Sequence, residues 1–491
     1  MRRGAPVRSR GPAGDGTLLE LSRPGRRASS LPALDVDAVA VPPSLARRTP
    51  VRLPEVGERD LVRHFTRLSQ QNYGVDTGIY PLGSCSMKYN PKVAEDVARL
   101  PGFAGLHPLA PDQTAQGTLE LLWRLERQLC EITGMAGATL QPPAGACGEM
   151  TGLLIMRAYH AEQGRTRRRV LIPDSAHGTN PASVRLGGFE AVGVPSDARG
   201  LVDVRALESL VDDEVAGLML TNPNTLGLFE ESIERITEAI HRVGGLVYYD
   251  GANLNAILGK TRPGDMGFDI VHINTHKTFA TPHGGGGPGA GPVGVVDRLV
   301  PYLPVPRVER DDTDGSYHLR HDAPGSIGRM HGFHGNVGVL VRAYAYLAAH
   351  GGAGLTEIAE RAVLNARYLA ALIADDYPLA YPATPAMHEF VATAQDLKQA
   401  TGVRAADVAK RLIDLGYHPS TVYFPLVVDE AMMVEPTETE SKESLESFAQ
   451  ALRQVADEAR TTPQLLHEAP RTTPVRRLDE ARAARQLVLH W

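Results

Sequence analysis

His276-Lys277-Thr278-Phe279-Ala280-Thr281-Pro282-His283, followed at once by Gly284-Gly285-Gly286-Gly287-Pro288-Gly289-Ala290-Gly291-Pro292, is the most informative stretch of this chain. Glycine gives up conformational entropy on folding, so such a cluster marks backbone that turns sharply or comes close to a ligand. Upstream, Asp250 ends the apolar run Leu246-Val247-Tyr248-Tyr249 and is followed by Gly251-Ala252-Asn253. A strand ending in Asp and a lysine among glycines are what a pyridoxal phosphate (PLP) enzyme requires. The lysine amine condenses with the cofactor's aldehyde, and the carboxylate pairs with the protonated ring nitrogen. A nucleotide phosphate loop is excluded, because that motif places its lysine after the glycines, at a helix start.

Working outward, short apolar runs alternate with helical ones. Val170-Leu171-Ile172-Pro173 precedes His177; Gly217-Leu218-Met219-Leu220 precedes Thr225. The helical run Ile233 to Val243 leads into Leu246–Tyr249, and Ile270-Val271-His272-Ile273-Asn274 runs up to Lys277. This alternation predicts an α/β fold with a mostly parallel central sheet. In such sheets ligands sit at the carboxyl ends of the strands, which is where His177, Thr225, Asp250 and Lys277 all fall. His177 is placed to stack on the cofactor ring. Thr275 and His276 offer phosphate donors beside the lysine. The small residues Ala146 and Cys147 open the helical run Met150 to Gln163, whose positive end can cradle an anion. Cys147 as a nucleophile is disfavoured, since nothing nearby in sequence lowers its pKa.

Elsewhere the periodicity predicts helices over 55–69, with Leu61, Val62, Phe65 and Leu68 on one face, and over 117–133, closed by Gly134. Beyond about residue 335 come two helical runs, 336–350 and 355–375. They lead into a smaller C-terminal α+β unit with strands at 389–393 and 423–428 and helices at 405–415 and 439–459. The expected organisation is a basic extension over 1–17, disordered by its Arg, Pro and Gly content, and an arm with a substrate loop over 18–110. A large PLP-binding domain over 111–334 and a small domain with a tail over 335–491 follow. The loop Tyr80 to Asn90 is too rich in turn-formers and polar groups to read as a core element.

Composition narrows the function classes. Across 491 residues, 51 Lys and Arg oppose 57 Asp and Glu, a formal charge of −6 spread along the chain, so no nucleic-acid footprint is present. No apolar run is long enough to span a bilayer. The three cysteines, Cys85, Cys130 and Cys147, form no CxxC pair and no disulfide framework, which points to a reducing, cytoplasmic setting.

These residues carry a resemblance. The segment Asn274 to Phe279 with its glycine run is similar to the PLP-lysine signature of glycine dehydrogenase (decarboxylating), the P-protein family of the glycine cleavage system. The likeness extends over nearly the whole chain from about Leu18. It includes Leu21-Ser22-Arg23-Pro24-Gly25-Arg26-Arg27, Tyr80-Pro81-Leu82-Gly83-Ser84-Cys85-Ser86-Met87-Lys88-Tyr89-Asn90, Met387-His388-Glu389-Phe390-Val391, Glu435-Pro436-Thr437-Glu438-Thr439-Glu440-Ser441-Lys442 and Thr473-Pro474-Val475-Arg476-Arg477.

The length resembles that of the lysine-bearing subunit 2 of the split bacterial form. The resemblance implies a fold-type I PLP architecture and a subunit 1 partner in an α2β2 heterotetramer. It also implies decarboxylation of glycine with transfer of the aminomethyl group to the lipoyl disulfide of H-protein. The loop bearing Tyr80, Ser84 and Cys85 would then lie near the substrate. Another fold-type I enzyme acting on a small amino acid (an aldolase, lyase or desulfurase) shares the lysine and aspartate, and a non-catalytic scaffold subunit is the reading from a different class.

Overall fold

The computed structural model describes residues 16–49, 51–284 and 289–489. The expected basic extension therefore lies almost wholly outside the described residues, as does the middle of the glycine run. Two compact units emerge: the chain up to Thr77 together with the segment from Arg471 onward, and Gly78–Pro470. Residues 78–110, which the sequence reading groups with the arm, fall in the second unit.

In the first unit, Thr17 and Glu20 form a capping box at the short helix Leu18–Leu21. Glu55 is tied to this region through its N–H to the Ser22 hydroxyl at 2.8 Å and its carboxylate to the Gly25 N–H at 2.5 Å. The described residues between Arg26 and Gly57 form no helix or strand, and Leu31, Leu34 and Val39 among them are exposed. The expected helix over 55–69 is present as Glu58–Gln70. Its apolar face behaves differently from expectation: Val62, Phe65 and Leu68 remain exposed, and His64 is its buried residue.

The second unit is built on a seven-stranded sheet. Its strands are β1 (Gly137–Thr139), β2 (Arg169–Pro173), β3 (Glu190–Val194), β4 (Val215–Leu220), β5 (Leu246–Gly251), β6 (Ile270–Ile273) and β7 (Val293–Val295), in the order β1-β7-β6-β5-β4-β2-β3. From β6 through β3 every pairing is parallel; β7 runs antiparallel to both β6 and β1. Every residue of β4, β5 and β6 is buried, as a parallel sheet covered on both faces requires, which is why these strands read as continuous apolar runs rather than alternating ones.

Helices cover the two faces. The helix Gln116–Thr133 buries Leu119, Leu122, Leu125 and Leu129 at helical spacing and ends on Gly134 in the left-handed region (φ 71°). Burying each such leucine contributes ~1.5–3 kcal/mol against exposure. The helix Gly145–Glu162 starts one turn earlier than expected and packs on β4, β5 and β6. The small hairpin of β8 (Arg307–Arg310) and β9 (Tyr317–Arg320) lies against the 116–133 helix.

The two helical runs expected after residue 335 are present as two helices within the span Val337–Ile373, separated at Gly351, whose backbone is non-helical (φ 59°, ψ −177°). A second core follows, around β10 (Phe390–Thr393), β11 (Thr421–Val422) and β12 (Ala431–Val434), with β12 central and all pairings antiparallel. Phe390, Met432 and Val434 pack there against Leu412, Phe448 and Leu452 from the helices Ala405–Asp414 and Lys442–Thr461.

The strand expected over 423–428 is not formed. Pro425 lacks the N–H that a ladder needs, Tyr423 sits at φ 58°, and Leu426 is 86% exposed. The run Ala431–Val434 takes that place. Among the described residues no helix is long and apolar enough to cross a membrane.

Candidate active site

The carboxyl ends of β2, β4, β5 and β6 open onto a cavity of ≈ 240 Å³. Lys277 lines it from the short helical turn Thr275–Thr278 that follows β6. Asp250 lines it from the carboxyl end of β5, and register pairs Asp250 with His272 of β6. His177 comes from the loop after β2, Thr221, Pro223 and Thr225 from the loop after β4, and Ala146 from the first turn of the helix Gly145–Glu162. That helix has no side-chain cap on its N-terminus, so its first backbone N–H groups are free to meet an anion.

Several expected site residues lie elsewhere. Thr275 is fully buried and its hydroxyl pairs with Thr281 Oγ1 at 3.3 Å, so it faces the protein rather than a phosphate. Cys147 points away from the cavity wall toward His331 Nε2 at 3.3 Å, and burial pushes its thiol pKa up, leaving it a poor nucleophile. Thr225 lines the cavity, but its hydroxyl is already given to the Ser175 carbonyl. Of the Tyr80–Asn90 loop only Ser84 reaches the cavity: Tyr80 stacks on His418 with centroids 3.7 Å apart, and Cys85 uses its carbonyl to accept from His283 Nε2 at 2.8 Å. Nor is this loop wholly a surface element. Ser86 and Lys88 within it are buried.

The structure adds residues to which the sequence reading gave no role. Glu149, one helical turn beyond Ala146, accepts from Thr179 Oγ1 at 2.8 Å and Ser183 Oγ at 2.6 Å. Burial, reinforced by the nearby Asp250 charge, raises its pKa to about 7. His272 is hydrogen-bonded through Nδ1 to the Tyr248 hydroxyl at 2.7 Å, with Asp250 Oδ1 3.5 Å away; burial lowers its pKa to about 4. His276 is lowered to about 3, by burial first and then by His283 and Lys277. His177 is lowered as well, through burial and the Lys277 charge. The imidazoles are therefore neutral at pH 7, and Lys277 is the one lysine or arginine among the described residues that line the wall. His388 and Glu389 line the cavity from the chain just before β10.

Whether these residues suit PLP can be judged from their unmet hydrogen-bonding capacity. Asp250 Oδ1, Asn274 Oδ1 and His276 Nδ1 are buried polar atoms without a hydrogen-bond partner among the described residues. A buried carboxylate oxygen with no donor is costly unless something cationic meets it, and a protonated pyridine nitrogen is such a group. With an amine at Lys277 and an open helix N-terminus on the same wall, the donor set fits the cofactor's ring nitrogen, aldehyde and phosphate.

Comparison with known proteins agrees. Residues 28–315 match the model of the glycine cleavage system P-protein, and residues 358–472 that of the glycine dehydrogenase C-terminal domain. The chain is 55% identical over 480 residues to a probable glycine dehydrogenase (decarboxylating) subunit 2 of Caldanaerobacter subterraneus, covering 96% of this chain and 98% of that one. It is 54% identical to the similarly named protein of Pyrococcus horikoshii, covering 96% and 95%. The chain belongs to the glycine cleavage system P-protein family.

Among solved structures, an inhibitor-bound glycine decarboxylase (P-protein) shares the fold with a TM-score of 0.71 at 23% identity, over 84% of this chain and 93% of that one. The Lactobacillus brevis glutamate decarboxylase shares it at 0.64 and 15%, over 88% and 96%.

Proposed function

We propose that this chain is the lysine-bearing subunit of a split, PLP-dependent glycine dehydrogenase. In this reading it removes CO2 from glycine and passes the aminomethyl group to the lipoyl arm of H-protein. The observation that carries the reading is the convergence of Lys277, a donor-free Asp250 oxygen and an uncapped helix N-terminus on one cavity.

When bound, the cofactor supplies an electron sink for the pair released as the carboxylate–Cα bond breaks. The chain's own residues prepare for this. Asp250 would hold the cofactor's ring nitrogen in its protonated form, and the buried Tyr248–His272 pair beside it fixes its surroundings. The Lys277 amine would hold the cofactor through its aldehyde. His177, neutral and kept in orientation by its 2.9 Å contact with Thr179 Oγ1, supplies a flat face for stacking. The helix opening at Gly145 and Ala146 receives the phosphate. The acceptor disulfide is assigned to the partner protein because Cys85, Cys130 and Cys147 are all free thiols.

A subunit 1 partner in an α2β2 assembly is part of this proposal, and the naming of the relatives as subunit 2 supports it. A reducing, cytoplasmic setting suits the unpaired cysteines.

The purified protein is expected to carry the cofactor's visible absorbance, and Lys277→Ala to lose it; colour retained in that variant refutes the lysine assignment. Co-expressed with subunit 1, the chain should exchange bicarbonate with the glycine carboxylate in the presence of lipoylated H-protein. Full-rate exchange by this chain alone would overturn the split-enzyme reading.

A further inference from the structure

Opposite the cofactor wall, the cavity is closed by a buried group that the chemistry above leaves unused. His388, Glu389 and Glu435 offer ligand atoms that all lie within 4.8 Å of one another, and all three side chains are buried. The two carboxylates are not equivalent. Glu435 accepts four hydrogen bonds, from the Ser86 N–H at 3.0 Å, the Ser86 hydroxyl, Asn253 Nδ2 at 2.8 Å and Asn255 Nδ2 at 3.2 Å. Three of these donors meet Oε1 and one meets Oε2. Oε1, with three donors, has no lone pair left for a metal ion.

Glu389 accepts a single hydrogen bond, from the Ser84 N–H to Oε2 at 2.8 Å. Its Oε1 faces His388 Nε2 at 3.9 Å, too far for a hydrogen bond. Both ring nitrogens of His388 lack a partner among the described residues, although the residue is 2% exposed and lines the cavity. Two buried carboxylates this close repel one another, and Glu389, the one with the fewer donors, is the one whose proton is held more tightly.

We propose that Glu389 is the proton donor of the acceptor half-reaction, giving its proton to the sulfur that leaves when the cyclic disulfide is opened.

This rests on the function proposed above and assigns one further step within it. Loss of CO2 from glycine consumes no proton. Transfer to a disulfide does: the carbon that has lost CO2 forms a bond to one sulfur, the S–S bond breaks, and its electron pair stays on the second sulfur as a thiolate. Proton transfer from Glu389 Oε1 leaves a thiol and a Glu389 carboxylate, which water reprotonates after product departs, so atoms and electrons balance.

Among the imidazoles and the raised acids on the wall, no other is as well suited. His177 and His388 are lowered by burial and carry no spare proton at pH 7, and Glu149, the other raised acid, has both oxygens engaged by Thr179 and Ser183. The charged and titratable groups facing Glu389 are Glu435, His388, Lys277 and Cys85. Burial, with Glu435 next, holds its pKa at about 8 despite the Ser84 N–H and Lys277.

Glu389→Gln keeps the acceptor for Ser84 and the shape, but cannot donate a proton. In the complete complex it is expected to retain the cofactor absorbance and its change on adding glycine, while aminomethyl transfer to lipoylated H-protein falls by roughly 10²–10⁴-fold. The native rate should decline above pH about 8, and this limb should vanish in Glu389→Gln and survive in Glu389→Asp. Infrared difference spectra across that pH should show a protonated-carboxyl band that the Gln variant lacks. Native-rate transfer by Glu389→Gln, loss of the glycine-induced absorbance change along with transfer, or absence of the infrared band each overturn the assignment. Failure of the native complex to take up cofactor would instead sink the proposed function, with the infrared band still deciding whether Glu389 holds a proton.

Discussion

Replacing Lys88 by methionine tests what the Tyr80–Asn90 loop does for the lysine turn. Lys88 Nζ donates to Glu438 Oε1 at 2.7 Å, to the Thr278 carbonyl at 2.9 Å and to Asn255 Oδ1 at 3.0 Å, so all three ammonium protons are placed. It thereby ties the loop to the residue immediately after Lys277. Burial pulls the Lys88 pKa down, but the Glu438 charge and hydrogen bond, with Tyr346 and Glu435, raise it overall above its ordinary 10.5. A folded pKa above the unfolded one means the contribution is whole below pH 10.5 and fades only as pH rises past it, so neutral conditions report it in full.

Methionine fills nearly the same volume, and the loss is therefore electrostatic. Glu438 is left buried, with the Tyr346 hydroxyl at 3.4 Å its remaining donor and Oε2 without a partner among the described residues. Breaking a buried pair from one side costs ~3–5 kcal/mol, against ~0–1 kcal/mol for an exposed pair. At ~2.1 cal/mol/K of unfolding entropy per residue, a unit of this size shifts by about 1 °C per kcal/mol, so calorimetry should show a midpoint ~3–5 °C lower. The double variant Lys88→Met/Glu438→Gln should lose less than the sum of the single variants, since no charge stays buried. A Lys88→Met midpoint within about 1 °C of native, or strict additivity in the double variant, refutes the reasoning.

Three further outcomes are expected. Gly152→Ala should destabilise by ~1–3 kcal/mol in a melting assay, because its Cβ would lie 2.2 Å from Tyr248 Cε2 in the packed layer between helix and sheet. Asp250→Asn should still bind cofactor but lose on the order of 10²-fold or more in glycine–bicarbonate exchange, as the neutral amide no longer holds the ring nitrogen protonated. Glu149, whose folded pKa of about 7 exceeds its ordinary 4.5, stabilises the fold most at low pH and loses that contribution as pH rises. Glu149→Gln should accordingly gain in melting midpoint relative to native between pH 6 and 8, by roughly the 1.4 kcal/mol that one pKa unit represents or more.

Much of the fold was legible because its signals are local. The strands β2, β4, β5 and β6 are buried on both faces, so each announces itself as an unbroken apolar run, and the helix Gln116–Thr133 as leucines at helical spacing. Local signals also misled. Tyr423–Val428 reads as a strand by composition, yet Pro425 and the positive φ of Tyr423 turn it into a loop, while the less conspicuous Ala431–Val434 forms the central strand. Thr275 and Cys147 flank the right elements but face inward or sideways. Position in the sequence fixes which turn a residue occupies; the side chain's direction depends on neighbours such as Thr281 and His331.

Read alone, the amino-acid sequence determined a parallel α/β sheet with Lys277 and Asp250 at strand ends, because periodicity, glycine clusters and strand termini are properties of neighbouring residues. Only the tertiary structure decided the other wall of the cavity, where Ser84 donates to Glu389 across 305 residues and Glu435 gathers Ser86, Asn253 and Asn255. Those contacts arise when separate segments are buried together and their polar groups must find partners. Such a demand is set by what the fold brings within reach, and it leaves no periodic trace in the chain.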